Sequence, residues 1–379
     1  MSPDHSHTHN TNPTEGTWEA QILSGRFRVS GMGQAYDACV GYRLIDSLGF
    51  EMAARGLVGP VALVSDENAG KYHTERAAAA ISAAGYGVQS IIVPAGERHK
   101  TLHTVEQIWV GLLAAGIERD GTVVALGGGV VGDLAGFAAA TWQRGVAWVN
   151  VPTTLLAMCD ASIGGKTGAD LPEGKNLIGA FHSPALVLAD LAALATLPEA
   201  EIRNGLAEVI IHAVIGDASL LELIGLEPPG AGWKALVSRA MAVKIKIIQE
   251  DPYEQGPRQA LNLGHTIGHA VELVSGFQQK HGEAVAIGLV AEARIAEMLG
   301  IANPQDHLAA RLAEICRSVG LPTEIPSGLD RQAIHQAIYL DKKKAAGRVR
   351  FALPAEIGQV VTGVEVSDTF IHEVLAQAA

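Results

Sequence analysis

Three histidines, His265, His269 and His281, fall within seventeen residues, beside Gly264, Gly268 and Gly282. The first two belong to Asn262-Leu-Gly264-His265-Thr-Ile-Gly268-His269-Ala-Val-Glu272, where Asn262, His265, His269 and Glu272 recur at three- and four-residue steps. On a helix that spacing puts all four on one face. Two histidines one turn apart can hold a metal ion, but the pattern is not HExxH, which argues against a zinc protease. His281-Gly-Glu283 opens what reads as the next helix and adds a third imidazole. Glu208, in the apolar Gly205-Leu-Ala-Glu-Val209, is a carboxylate that would be costly to bury without a partner. Two histidines and a carboxylate are a usual catalytic zinc set, with a fourth position open to water or substrate. Spacing alone does not say which two histidines are ligands, and a single histidine is more often an ordinary surface or core residue.

A second candidate is Gly127-Gly-Gly129-Val-Val-Gly132-Asp133, which follows the apolar run Thr122–Leu126 and leads into the helical pattern Leu134–Ala140. In that strand–turn–helix setting, glycines let backbone N–H groups and a helix N-terminus approach a pyrophosphate. The same residues would also serve a tight turn with close helix packing. A standard dinucleotide fold wants an acidic residue at the end of the next strand. That strand instead ends Asn150-Val-Pro152-Thr-Thr154. Asp66-Glu-Asn68, after an earlier strand, is the candidate replacement.

These residues need a scaffold. Val61–Ser65, Ser90–Pro94, Thr122–Leu126 and Trp148–Pro152 are short, β-branched and bounded by turn formers, as buried strands are. Between them, Thr74–Gly85 and Thr104–Gly116 carry Ala and Leu at helical spacing. Such alternation predicts a mostly parallel sheet covered by helices over residues 23–194. From about Leu197 the chain reads as successive helices, Pro198–Ile215, Trp233–Glu250, Leu263–Ser275, Glu283–Leu299 and Gln305–Val319. A helical second domain is therefore expected over 195–379. Residues 1–22, polar and containing His5, His7 and His9, read as a disordered tail.

Composition agrees with an enzyme of this class. The 379 residues are too many for one ordinary core, and with 48% apolar and 18% charged residues the chain is globular. The net charge of −12 argues against nucleic acid, whose binders are usually basic, but not against a small anion met by a local basic cluster. Cys39, Cys159 and Cys316, widely spaced and odd in number, form neither a disulfide framework nor a CxxC metal site, and the N-terminus has no signal-like apolar segment. No apolar run is long enough to span a bilayer. A cytoplasmic enzyme is the expectation.

Taken in order, Gly127–Asp133, Pro152–Leu156, Asp160-Ala-Ser-Ile-Gly-Gly-Lys166-Thr-Gly168, Gly174–Phe181, Gly205–Val209, Asn262–Glu272 and His281–Gly288 resemble the motif series of 3-dehydroquinate synthase, across roughly residues 60 to 355. The resemblance implies an α/β, Rossmann-like NAD-binding domain, a mainly α-helical metal-binding domain, an active site between them, and a homodimer. It makes Glu208, His265 and His281 the ligands of a divalent metal, zinc or cobalt. It leaves His269, with Glu254 and Lys166, for catalysis. It implies NAD contacts from Asp66, Asn68, Glu97, Lys100, Gly128, Gly129, Asp133, Thr153, Thr154 and Lys175. Substrate contacts are implied from Asp160, Lys166, Asn176, Lys244, Arg258, Asn262 and His269, besides Glu208 and His265. Arg144 would reach phosphate across the dimer, and a lysine of the Lys342–Lys344 run, taken as Lys342, would reach it too.

The implied activity belongs to the shikimate pathway: 3-deoxy-D-arabino-heptulosonate 7-phosphate becomes 3-dehydroquinate and phosphate, with NAD oxidising and then re-reducing the substrate. The pattern departs at Ile211, where the family has a lysine that touches substrate hydroxyls; His212 follows it. Competing expectations are a cyclase acting on sedoheptulose 7-phosphate or an amino analogue, a glycerol-dehydrogenase-like enzyme, and a silent relative.

Overall fold

The computed structural model describes residues 17–31, 33–171, 174–225, 230, 232–340 and 349–377. His5, His7, His9 and the Lys342–Lys344 run lie outside them. A seven-stranded sheet organises the N-terminal half: β1 (Arg26–Val29), β2 (Tyr36–Gly41), β3 (Val61–Asp66), β4 (Val88–Val93), β5 (Thr122–Gly127), β6 (Ala147–Pro152) and, after the hairpin β7 (Lys166–Leu171) and β8 (Gly174–Phe181), β9 (Leu186–Asp190). The order across the sheet is β1-β2-β9-β6-β5-β3-β4, parallel except for the β1–β2 pair. Strand β3 is followed by β4 on one side and paired with β5 on the other, so the order reverses there. Ligands of open α/β sheets bind at such a switch point, beyond the carboxyl ends of the strands.

Strands covered on both faces must be apolar throughout, which is why β3 and β5 were readable as continuous runs. Ala62 and Val64 point to the side covered by α4 (Leu102–Ala114) and α5 (Gly129–Thr141). Val61 and Leu63 point to the side covered by α2 (Leu48–Ala53) and α3 (Glu67–Ala83). Of the residues expected in a disordered tail, Trp18–Ile22 instead belong to a helix, α1 (Trp18–Ser24). Thr17 caps its start, Gly25 ends it in a left-handed conformation, and Lys234 donates to the Leu23 carbonyl at 3.0 Å.

The second half is built from α6 (Glu199–Ile215), the short α7 (Leu220–Leu223), α8 (Trp233–Glu250), α9 (His265–Val274), α10 (His281–Met298), α11 (Leu308–Ser318), α12 (Arg331–Leu340) and α13 (Asp368–Gln377). A hairpin of β10 (Arg350–Glu356) and β11 (Gln359–Glu365) interrupts the run before α13. Helices α6 and α8 also pack on β1 and β2 through Ile202, Leu206, Trp233 and Leu236 against Phe27, Val29 and Ala38. That shared core fixes the helical half against the sheet. Helices α9 and α10 cross tightly: a β-carbon on Gly288 would collide with the Gly264 carbonyl.

Candidate active site

Between the carboxyl ends of the strands and the helical half lies a cleft of about 1100 Å³. On its sheet side, Gly128 caps α5 and Gly129 begins it, so the first N–H groups of α5 face the cleft. The bare backbone is required: a β-carbon on Gly127 would come within 2.6 Å of Val131, and one on Gly128 within 3.1 Å of Thr154. Asp66 sits at the end of β3 and accepts from the Asn68 and Ala69 N–H groups at 2.8 Å, capping α3. Lys100 is nearly buried and pairs with Asp133 at 2.6 Å. Lys175 pairs with Glu97 at 2.9 Å and Glu272 at 2.6 Å, tying hairpin β7–β8 to the helical half. All ten residues expected at the nucleotide, Thr153 and Thr154 included, line this cleft.

Across from them, Glu208 is 2% exposed on α6. Its Oε1 lies 3.4 Å from His265 Nε2 and 3.2 Å from His281 Nε2, at the starts of α9 and α10. One donor atom from each falls within 4.8 Å of the others. His265 Nδ1 meets the Leu263 carbonyl at 3.0 Å, which directs Nε2 at Glu208, the tautomer a metal ligand needs. Burial raises the Glu208 pKa, but the charges and hydrogen bonds of His265 and His281 outweigh it and hold the carboxyl well below its usual range. His281 loses some basicity to burial, yet Glu208 and Glu272 carry it up to about 10. One carboxylate oxygen and two imidazoles, converging where the carboxylate is buried and His281 opens on the cleft, suit a borderline divalent ion such as zinc or cobalt. His281 also converges with His269 and Glu272, so proximity alone does not make the Glu208 set unique. His269 opens on the cleft, and desolvation, then the charges of His265 and His281, push its pKa down.

The other polar groups are held in pairs. Lys244 donates to both the side chain and the carbonyl of Asp160. Lys166 meets Glu254 at 2.7 Å, and Asn262 Nδ2 donates to the other Glu254 oxygen at 2.8 Å. Burial raises the Glu254 pKa, but Lys166 and Asn262 bring it below the usual value. Arg258 is 2% exposed and donates to the Pro252 carbonyl. Asp160, Lys166, Asn176, Lys244, His269 and His281 line the cleft; Glu208 and Arg258 are buried next to these lining groups, Glu208 against His281 and Arg258 beside the Glu254 turn that meets Lys166. Arg144 is exposed at the end of α5, apart from the cleft, and Lys342 falls outside the described residues.

Three features differ from the sequence reading or escaped it. Asn262 is not on the face of α9 with the histidines. It ends a separate turn, Pro257–Asn262, because Gly264 adopts a left-handed conformation and restarts the helix at His265. Glu292, fully buried on α10, accepts from the Gly264 and Ile267 N–H groups at 2.5 and 3.2 Å and so positions the start of α9. Its signal was a lone carboxylate in an apolar helix. Ile211 is 1% exposed and packs with Leu263 and Ile267, whereas His212, one turn beyond Glu208, turns toward Asp160 at 3.9 Å.

Comparison with known proteins agrees with this geometry. Residues 90–204 match the model described as "3-dehydroquinate synthase N-terminal" and residues 205–344 that described as "3-dehydroquinate synthase C-terminal". A 3-dehydroquinate synthase from Nostoc punctiforme is 46% identical over 353 residues, covering 90% of this chain and 96% of its own. Among solved structures, 2-epi-5-epi-valiolone synthase from Streptomyces hygroscopicus, with NAD+ and Zn2+ bound, matches with a TM-score of 0.83 at 29% identity, over 93% of this chain and 99% of that one. A 2-deoxy-scyllo-inosose synthase complexed with carbaglucose-6-phosphate, NAD+ and Co2+ also gives 0.83, at 25% identity, over 93% and 100% of the two chains. With both family models met in consecutive order and the first relative matched along nearly its whole length, the chain belongs to the 3-dehydroquinate synthase family.

Proposed function

We propose that the chain converts 3-deoxy-D-arabino-heptulosonate 7-phosphate to 3-dehydroquinate and inorganic phosphate. One observation carries this reading: the His265–His281–Glu208 set and the glycine turn that begins α5 meet in a single cleft with Lys166, Lys175 and Lys244. Glu208, His265 and His281 would hold the cation, and the start of α5, Asp66 and Lys175 would hold NAD. When bound, the nucleotide supplies reversible hydride transfer and the cation polarises the reacting oxygen. The net change is loss of phosphate and closure of a carbocycle, without net oxidation.

The residues of the chain supply the rest. Lys166 and Lys244 offer positive charge to the substrate anions, in a protein of net charge −12. Arg258, buried against the Glu254 turn, fits a positioning role there. Elimination of phosphate requires a proton to leave the carbon between the ketone and the phosphate-bearing carbon. His269 and Glu254 are the groups that could accept it: His269 opens on the cleft, with burial and the charges of His265 and His281 pushing its pKa down, and Glu254 is held beside the cleft-lining Lys166. We assign the working form as a homodimer with Arg144 reaching the partner's phosphate site, and the compartment as the cytoplasm. No helix among the described residues is long and apolar enough to cross a membrane.

The discriminating experiment offers the enzyme two substrates, with NAD and zinc or cobalt: the heptulosonate phosphate, and sedoheptulose 7-phosphate, which lacks the carboxylate. 3-Dehydroquinate formed from the first supports the assignment. Turnover of the second alone would overturn it and would point to the Ile211 departure.

A further inference from the structure

Away from the cleft, helices α12 and α13 bring together His335, Asp368 and His372. His335 Nε2 lies 2.6 Å from Asp368 Oδ1, and His372 Nε2 lies 3.4 Å from Asp368 Oδ2. The two imidazoles stack with centroids 3.9 Å apart and planes 21° from parallel, so both Nε2 atoms face the same carboxylate. One donor from each residue falls within 4.8 Å of the others. Asp368 and His372 are one turn apart on α13, which fixes them on a common face, and His335 enters from α12. Tyr339, one turn after His335, donates to Asp368 Oδ1 at 2.9 Å and orients the carboxylate from outside, as outer partners of metal ligands do. A hollow of about 510 Å³, lined by Arg331, His335, Gln336 and His372, adjoins the cluster.

We propose that His335, Asp368 and His372 form a second divalent-cation site, separate from the active site, that staples the C-terminal helix α13 to α12. Two nitrogens and one carboxylate oxygen select a borderline transition ion such as Zn2+ or Ni2+ over Mg2+ or Ca2+, which prefer all-oxygen sets. Asp368 and His372 are more than half exposed, so water can complete the coordination. The role is structural. Helix α13 buries Ile371, Val374 and Leu375 against the helical core, and the ion would add a link at its first turns.

The test counts ions bound to the full chain by equilibrium dialysis against Zn2+ at saturating NAD, with thermal unfolding in parallel. Wild type should bind one equivalent more than His335→Ala or His372→Ala, with affinity at that site falling by at least about tenfold, a loss that even outer-ligand changes can produce. Both variants should keep phosphate release and the ion that Glu208→Gln loses. The rise in unfolding temperature at Zn2+ levels beyond active-site saturation should vanish in them. The triple variant His5→Ala, His7→Ala, His9→Ala should retain the additional equivalent. The proposal is overturned if wild type binds no additional ion, if His335→Ala and His372→Ala bind as much as wild type, or if the additional ion disappears with the tail histidines.

Discussion

The two walls of the cleft use different means of holding a ligand. At the glycine turn of the sheet side the chain is reduced to backbone: a β-carbon on Gly127 would meet Val131 at 2.6 Å, those on Gly128 and Gly129 would be tight at 3.1 and 3.3 Å, and the first N–H groups of α5 turn toward the cavity. On the helical side the holding groups are charged side chains: Glu208 is buried between the imidazoles of His265 and His281. The difference teaches where each wall is fragile. The first fails through sterics, whatever the charge of the substitute; the second fails through charge, even when shape is kept.

The largest expected effect follows from an isosteric change on the charged wall. Glu208→Gln keeps volume but removes the anion, and it should lower phosphate release by ~10³-fold, several kcal/mol of barrier. Bound metal should fall with it in the same sample, while circular dichroism stays native. Retained activity would break the contrast between the walls.

On the sheet wall, Gly127→Ala adds one methyl where Val131 stands 2.6 Å away. It should cost about 1–3 kcal/mol of stability by overpacking, read in a denaturant titration, together with weaker NAD binding. An alanine variant with normal stability and NAD affinity would show that the tight turn is not steric.

The smallest effect sharpens the role of Ile211. Buried with Leu263 and Ile267 beneath the start of α9, it acts as packing. Ile211→Val should destabilise by about 1 kcal/mol and leave KM for the sugar phosphate unchanged. A change in KM without a stability loss would instead give this position a substrate role.

Much of this contrast was legible in the chain itself, for reasons that differ by region. Strands β3, β5 and β6 showed because burial on both faces makes them continuous apolar runs, and the partly exposed edge strand β4 showed through its β-branched Ile91-Ile-Val93. The glycine turn and the histidine group showed because their spacing is local. Hairpin β7–β8 did not, since its outer residues are exposed and glycines interrupt the alternation. The boundary at Gly264 was hidden because helical spacing continues through a residue whose left-handed backbone restarts the helix. Glu292 was hidden because its partners are backbone N–H groups on another helix, a pairing that exists only after folding. The ligand choice among three histidines came from family resemblance, and geometry adds the pairing of His265 and His281 with Glu208.

The most direct test of the central claim follows phosphate and NADH together in one reaction, with purified protein, NAD, zinc or cobalt and the heptulosonate phosphate in excess. The account predicts many turnovers of phosphate release per active site with no net NADH. NADH accumulating in step with product would contradict it and make the protein a dehydrogenase; no phosphate release at all would contradict it as well.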